Sequence, residues 1–444
     1  MNKDYRFSSY SIVVPLDSEP ENVFMMHGYT GAIDVLSKEI AEYLQNHESF
    51  NKEELPCSEI TVAALEKRGY ITQWNKEEEV EYAKRLANAL YRKENILSNS
   101  FTVVVTYDCN FRCPYCFEKG IKKDTTTFTK EMTDKLYKTI LEIAPEKKLR
   151  NNVITLYGGE PLLRENKNAV TYIVEKGKEL GFKFSAITNG YDLDCYDELL
   201  GSDSICHLQI TIDGMPQLHN RKRIHQCGKP TFEKIIQNIG IALGKGTKVS
   251  IRVNTDRDNI HQLDELQQLF EENGYMKNNL FNMYSALLRH HDEGEVPTNI
   301  LNQKEYIKQI RKSNIKCSYH DYGLSNKIAT AIKKNRPVLL GTSFCGAQNN
   351  GFIMDPLGRI YPCWEVINQK EHLLGVFYNG TTTWYNETLH KWRNNAIVVS
   401  DCIKCKYTFL CRGGCPAHQL DKKKCTHIEE ITNHIINKTY VSVR

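Results

Sequence analysis

The stretch Thr106–Gly120, TYDCNFRCPYCFEKG, decides the reading: Cys109, Cys113 and Cys116 stand in it at the spacing C-x3-C-x2-C. It follows directly on a valine-rich run, Thr102–Tyr107, whose composition and length predict a β-strand. Three thiolates on one tight loop can hold three irons of a 4Fe–4S cube and leave the fourth open to a ligand. A tetrahedral zinc site normally takes a fourth protein ligand and gives no reason for the strand-end location.

Outward from this loop the chain alternates. Further strands are predicted at Val153–Tyr157, Lys183–Thr188, His207–Ile212, Lys248–Asn254 and Leu280–Ser285. Helices are predicted at Lys130–Ile143, Glu165–Leu180, Thr231–Leu243 and Ile260–Glu272. Six strands with intervening helices predict an α/β domain with a parallel sheet, whose function collects at the carboxyl ends of the strands. Three polar segments fall at such ends: Gly158-Gly159-Glu160-Pro161 after VITLY, Thr188-Asn189-Gly190, and Gln209, Thr211, Asp213 and Gly214 in QITIDG, followed by His219-Asn220 and Arg223.

The cysteine spacing, the aromatic Tyr115 before the last cysteine and the order of these segments resemble the radical S-adenosylmethionine (SAM) superfamily. The resemblance implies a partial (β/α)6 TIM-like barrel core. It makes Cys109, Cys113 and Cys116 the cluster ligands and catalytic centre. Tyr115, Gly158, Gly159, Glu160, Pro161, Thr188, Asn189, Gln209, Thr211 and Arg223 would surround the SAM. In the family the GGEP segment meets the methionine amino group, the glycines allowing close backbone approach and the carboxylate accepting charge-assisted bonds. The chemistry implied is reductive cleavage of SAM to a 5′-deoxyadenosyl radical that removes a hydrogen atom from the substrate.

Seven of the fifteen cysteines form a second group. Cys345 precedes Gly358 and Cys363, and Cys402, Cys405, Cys411 and Cys415 follow at C-x2-C-x5-C-x3-C, with Cys425 after them. A pair of zinc ribbons is the bland alternative. The full pattern is similar to the SPASM extension of a subset of radical SAM enzymes, which implies two auxiliary clusters and three 4Fe–4S clusters in all. By that resemblance Cys402, Cys405, Cys411 and Cys425 complete one auxiliary cluster. Cys345, Cys363 and Cys415 hold the other, whose fourth ligand is either Cys317 or an open position able to take a substrate thiolate. Cys57, Cys195, Cys206 and Cys227 fit no pattern and read as small, partly buried hydrophobes.

The first hundred residues differ in texture. Ser9–Leu16, Asn22–His27 and Gly31–Leu36 read as short strands, and Lys38–Gln45, Glu59–Lys67 and Lys76–Arg92 as helices. This winged-helix-like module resembles the recognition element that binds leader segments of ribosomally made, post-translationally modified peptides by strand addition. The organisation expected is residues 1–95 leader recognition, 96–287 radical SAM core, 288–337 bridge and 338–444 SPASM domain.

Composition agrees with a folded enzyme. The 444 residues are 41% hydrophobic and 25% charged, with a net charge of +4 from 58 basic and 54 acidic groups. That balance offers no long basic stretch for phosphates and argues against a nucleic-acid partner. No apolar run approaches the roughly 18 residues of a membrane span, and Met1–Leu16 lacks signal-peptide order, so a cytoplasmic protein without a membrane partner is expected. The function expected is a peptide maturase forming cysteine thioether cross-links in a precursor peptide, with a flavodoxin or ferredoxin as electron donor. The alternatives are other peptide radical chemistry (carbon–carbon cross-linking or epimerisation), an anaerobic sulfatase-maturing enzyme and a non-enzymatic iron–sulfur or zinc regulator. Against the sulfatase reading, that family typically has an aspartate directly after the second SPASM cysteine, where this chain has Trp364 and then Glu365.

Overall fold

The computed structural model describes residues 4–96, 99–120, 124–290, 297–312, 315, 317–417, 425 and 428–443. They divide into two compact units: one comprises residues 1–96, 321–349 and 394–444, the other 97–320 and 350–393.

In the first unit, β1 (Arg6–Phe7), β2 (Ser11–Pro15), β3 (Asn22–His27) and β4 (Ile33–Ser37) lead into α1 (Lys38–Asn46), α2 (Glu59–Lys67), β5 (Ile71–Thr72) and α3 (Lys76–Asn95). β2, β3 and β4 form an antiparallel sheet and β1 pairs with β5. The three strands and three helices lie where hydropathy alternation and helical spacing put them. α3 opens on a capping box: Asn75 Oδ1 accepts from Glu78 N at 2.8 Å, and Glu78 Oε2 accepts from Asn75 N at 2.8 Å. Glu79, one residue on, is fully buried and explains how α3 is fixed to the sheet. Its carboxylate takes Arg6 Nη2 at 2.6 Å, the Ser8 hydroxyl at 2.5 Å and Ser9 N at 3.0 Å. Tyr10, Tyr29, Ala83 and Ala87 share a core with Ile397, Ile403 and Phe409. The Tyr10 hydroxyl donates to the Ile403 carbonyl at 2.6 Å, so the first ninety residues and the segment around Cys402 are parts of one packed body.

The second unit is built on β6 (Asn99–Thr106), α4 (Lys130–Ile143), β7 (Arg150–Gly158), α5 (Lys167–Glu179), β8 (Lys183–Thr188), β9 (Ile205–Thr211), α6 (Pro216–Lys222), α7 (Phe232–Gly244), β10 (Lys248–Thr255), α8 (Leu263–Glu272), β11 (Phe281–Leu287), α9 (Gln303–Lys312) and β12 (Ser318–Tyr319). β6 to β12 are all parallel and pair in sequence order; the six strands β6 to β11 give the successive βα pattern of a partial (β/α)6 barrel, and the two-residue β12 adds a seventh beside β11. Residues 350–393 extend the sheet beyond β6: β13 (Gly351–Met354) pairs with it in parallel, and β14 (Arg359–Tyr361), β15 (Gly375–Val376) and β16 (Thr383–Trp384) continue antiparallel.

The two faces of the barrel strands differ in chemistry. Val103, Val105, Ile154, Leu156, Phe184, Leu208, Ile210, Val249, Ile251 and Val253 are at most 1% exposed, and burying each contributes roughly 1.5–3 kcal/mol. The alternate positions carry hydrogen-bonding side chains that meet across strands: Thr155 with Ser185 at 3.0 Å, His207 with Ser250 at 2.8 Å, and the Tyr284 hydroxyl donating to Gln209 Oε1 at 2.7 Å. A sheet face lined this way is suited to holding ligands rather than to packing. No helix among the described residues is long and apolar enough to cross a membrane.

Candidate active site at the mouth of the barrel

Cys109, Cys113 and Cys116 lie on the loop leaving β6. Local bonds tighten it: Asp108 Oδ1 accepts from Cys109 N at 2.8 Å, Phe111 N points at Cys109 Sγ at 3.3 Å, and Cys116 N donates to the Cys113 carbonyl at 3.1 Å. Farther along the chain, Arg112 N donates to the Ile224 carbonyl at 2.7 Å and Gln226 N to the Asn110 carbonyl at 2.8 Å, which ties the loop to the segment after α6.

Gly158-Gly159-Glu160 lies directly on this loop. Gly159 N donates to the Thr106 carbonyl at 3.0 Å and Glu160 N to the Asp108 carbonyl at 2.8 Å. A Cβ on Gly159 would lie 2.3 Å from the Asp108 carbonyl oxygen. One on Gly158, whose φ is +130°, would lie 2.2 Å from that of Thr106. Only glycine permits this approach.

Glu160 is 1% exposed and Pro161 behind it is buried. Leu162 N (2.9 Å) and the Thr188 hydroxyl (2.6 Å) donate to Glu160 Oε1, and Asn189 N (2.6 Å) to Oε2. Burial pushes the carboxyl up to about 7 despite these three donors. Asn189 Nδ2 also donates to Asn110 Oδ1 at 2.7 Å, so the third strand's end is bonded both to Glu160 and to the cysteine loop.

On the other side, the Tyr115 hydroxyl donates to Asp213 Oδ2 and receives Arg223 Nη1 at 3.3 Å and Asn254 Nδ2 at 3.4 Å. Asp213 is fully buried at the end of β9, and its Oδ1 accepts from Asn254 N at 3.0 Å. The Arg223 guanidinium lies 5.4 Å from the centre of the Phe111 ring, and its buried Nε has no hydrogen-bond partner among the described residues. Gln209 and Thr211 sit lower on β9; Thr211 is the register partner of Arg252.

Thus Tyr115, Gly158, Gly159, Glu160, Thr188, Asn189 and Arg223 are joined to the cysteine loop by direct or one-step contacts, whereas Gln209 and Thr211 lie farther down the strand. Asn254, which holds both Tyr115 and Asp213, was missed. Its signal was there: in VSIRVN the polar residues Ser250, Arg252 and Asn254 alternate with the apolar Val249, Ile251 and Val253.

The donor set fits an iron–sulfur cluster. Burial pushes the Cys109 thiol up to about 12 and Cys116 up to about 11, with the Glu160 and Glu118 carboxylates adding to the respective shifts. Both thiols also feel Cys113, so three soft donors face one another with no histidine among them. Among the described residues no three His, Cys, Asp or Glu side chains close around a single metal-ion position.

The second cysteine group is distributed over both units. Cys363 follows β14 in the barrel unit, where Trp364 stacks on Tyr157 with ring centres 5.5 Å apart. Buried Tyr157 at the end of β7 has Glu118, Cys116, Glu365 and Cys363 as its charged neighbours, so the loop after β6 and the turn after β14 bring Cys116 and Cys363 near the same ring. Cys317 is buried in that unit too, its thiol donating to the Ser318 carbonyl at 3.1 Å. In the first unit Cys345 is exposed, and Cys402, Cys405 and Cys411 lie on two consecutive helical turns. Burial raises the Cys405 thiol, followed by smaller contributions from Cys425 and Cys402. Cys415 comes after two left-handed glycines, Gly413 (φ +80°) and Gly414 (φ +77°).

Residues 103–270 match the family described as the radical SAM superfamily. The chain is 24% identical over 325 residues to the cysteine-type anaerobic sulfatase-maturating enzyme of Clostridium perfringens, covering 69% of this chain and 85% of that protein. It is 25% identical over 332 residues to the mycofactocin maturase MftC of Mycolicibacterium smegmatis, covering 70% and 76%. Its fold is similar to that of anSMEcpe with bound AdoMet, with a TM-score of 0.58 at 18% identity over 78% of this chain and 98% of that one. Residues 103–270 are a radical SAM domain, and the protein is a radical SAM enzyme. The family implies a 4Fe–4S cluster and SAM.

Proposed function

We propose that the protein is a maturase that modifies a ribosomally made precursor peptide, forming thioether cross-links from cysteine sulfur to carbon. The observation that carries the peptide reading is the likeness, over more than two thirds of the chain, to proteins named as maturases. In this reading Cys109, Cys113 and Cys116 hold the core cluster. Gly158, Gly159, Glu160, Pro161, Thr188 and Asn189 border the SAM amino group, and Tyr115, Gln209, Thr211 and Arg223 the rest of the molecule. Cys402, Cys405, Cys411 and Cys425 hold one auxiliary cluster and Cys345, Cys363 and Cys415 the other, three clusters in all.

When bound, the core cluster and SAM supply a 5′-deoxyadenosyl radical. The protein's part is placement and exclusion of water. Glu160, kept dry, would accept a charge-assisted bond from an ammonium group, and the buried Arg223 Nε–H, without a partner among the described residues, would be available to a bound group. The overall step balances: one C–H and one S–H bond give way to one C–S bond. The two electrons released reduce the SAM sulfonium to methionine and 5′-deoxyadenosine, with loss of one proton. A flavodoxin or ferredoxin would lend the starting electron, and auxiliary clusters held by Cys345, Cys363, Cys402, Cys405, Cys411, Cys415 and Cys425 would supply an acceptor for the electron left after bond formation.

The edge strand β4 of the first unit, where Val35 is exposed, is the place proposed for the leader to add as a further strand. Anaerobic incubation with SAM, dithionite and a cysteine-containing precursor peptide should lower the peptide mass by two hydrogens per bond, with no thiol left to alkylate. An unchanged mass would remove the thioether. A Cys317→Ala variant that loses one auxiliary cluster outright would refute the open iron position. The second reading, oxidation of a sulfatase cysteine to formylglycine, is favoured by the named relatives and opposed by Trp364 at the position where that family carries an aspartate. A sulfatase peptide converted to the aldehyde would establish it.

A further inference from the structure

The inner face of β10 carries a further cation, Arg252. Arg252 is half-buried, flanked in register by Thr211 of β9 and Tyr284 of β11. Its Nε donates to Asn254 Oδ1 at 2.9 Å, and the guanidinium also bonds the Tyr284 hydroxyl, which in turn donates to Gln209 Oε1. Asn254 in turn reaches Tyr115 of the cysteine loop, so Arg252 is one side chain removed from the catalytic mouth.

What sets Arg252 apart is the lack of a counter-ion. The other cations of this region have carboxylates: Lys222 meets Asp256 at 2.5 Å, Arg359 meets Asp355 at 2.7 Å, Arg289 meets Glu365 at 3.8 Å, and Arg223 lies beside Asp213. Arg252 forms no ion pair with any described residue, and its neighbours Asn254, Tyr284, Gln209 and Thr211 are all neutral. A guanidinium withdrawn from water costs free energy unless an anion or a full set of acceptors meets it, and its planar fork matches a carboxylate bidentately. The amides and hydroxyls around it are neutral and do not cancel its charge.

We propose that Arg252, with Tyr284 and Gln209, forms a carboxylate subsite inside the barrel that seats an acidic side chain of the peptide substrate next to the residue being modified. This rests on the peptide-maturase reading and adds the substrate class: peptides with an aspartate or glutamate close to the reacting position. SAM also carries a carboxylate, so the test separates the two sources.

The probes are two sets of blocked pentapeptides, each with one cysteine, carrying glutamate in one set and glutamine in the other at each remaining position in turn. Binding to the anaerobically reconstituted full-length protein is measured by calorimetry with SAM present, and SAM binding is measured separately. The wild type should prefer at least one glutamate peptide over its glutamine twin by tenfold or more. Arg252→Met should reduce that preference below threefold, Arg252→Lys should keep part of it, and SAM affinity should stay within twofold. Should Arg252→Met fail to fold, Arg252→Gln, which retains hydrogen bonding to Asn254, carries the same expectation. Equal binding of both sets to the wild type, or a preference that survives loss of the arginine, overturns the subsite and leaves the maturase reading standing. A tenfold loss of SAM affinity with the peptide preference intact assigns the arginine to SAM and overturns it too. Binding of neither set removes the peptide reading and the subsite with it.

Discussion

Replacing Glu160 with glutamine tests whether the carboxylate beneath the cysteine loop is as dry as the geometry requires. Its folded pKa is raised by burial from 4.5 to about 7. A raised carboxylate favours the folded state while protonated, so its contribution is fully present below about 4.5 and is lost as pH rises to about 7. At about 1.4 kcal/mol per pH unit the full loss is roughly 3 kcal/mol, of which about 2 kcal/mol falls between pH 5 and 8. Glutamine removes this pH dependence. It also places an amide N–H against one of the three donors, leaving that donor unsatisfied at a cost of about 1–3 kcal/mol at every pH. The assay is urea unfolding of the cluster-free protein at pH 5 and pH 8. Tryptophan fluorescence follows the barrel unit, because Trp364, Trp384 and Trp392 lie in it and only Trp74 lies outside. Wild type minus Glu160→Gln should fall by about 2 kcal/mol on going from pH 5 to 8. A difference flat with pH, or one that rises, refutes the argument, since it would mean that Glu160 is ionised and well solvated in the folded state.

Other predictions concern single contacts. Gly159→Ala drives a Cβ to 2.3 Å from the Asp108 carbonyl and should displace the cysteine loop, so reconstituted protein should lose about four irons and all 5′-deoxyadenosine formation; full iron content would contradict it. Arg6→Met leaves Glu79 buried without a counter-ion and should destabilise the first unit by about 3–5 kcal/mol, read from hydrogen exchange of the β2–β4 amides. Tyr10→Phe strips the Ile403 carbonyl of its donor and should cost about 1–2 kcal/mol in the same assay, with no change in the pH dependence. Val35→Asp on the exposed edge of β4 should weaken leader binding at least threefold in fluorescence anisotropy while leaving SAM cleavage untouched; unchanged leader affinity would remove β4 as the docking edge.

Much of the barrel was legible because two periodicities coincide in it. β6 to β11 are apolar at every second position, and the helices between them carry apolar faces at three- and four-residue spacing, so the type and order of elements followed from the residues. The meeting of Cys109, Glu160 and Asn189 followed from their places just after the ends of β6, β7 and β8. Long-range pairing was not legible. Gly351–Met354 is only four residues long, too short for periodicity to say that it lies beside β6. Nor does anything local to Tyr10 announce that its hydroxyl will meet the Ile403 carbonyl almost four hundred residues away. The helix Ile428–Val443 was also unread, because its chain of isoleucines interleaved with Thr and Asn suits a strand by propensity, and packing of its buried Ile431, Ile435 and Ile436 overrides that preference.

The most direct test of the central claim is iron, sulfide and product analysis of one preparation. Anaerobically reconstituted protein given SAM and dithionite should contain about twelve irons with matching sulfide and release methionine and 5′-deoxyadenosine, and a Cys109→Ala, Cys113→Ala, Cys116→Ala variant should retain about eight irons and release neither. Zinc in place of iron, or 5′-deoxyadenosine formed at an undiminished rate by the triple variant, would contradict the account at its first cysteine.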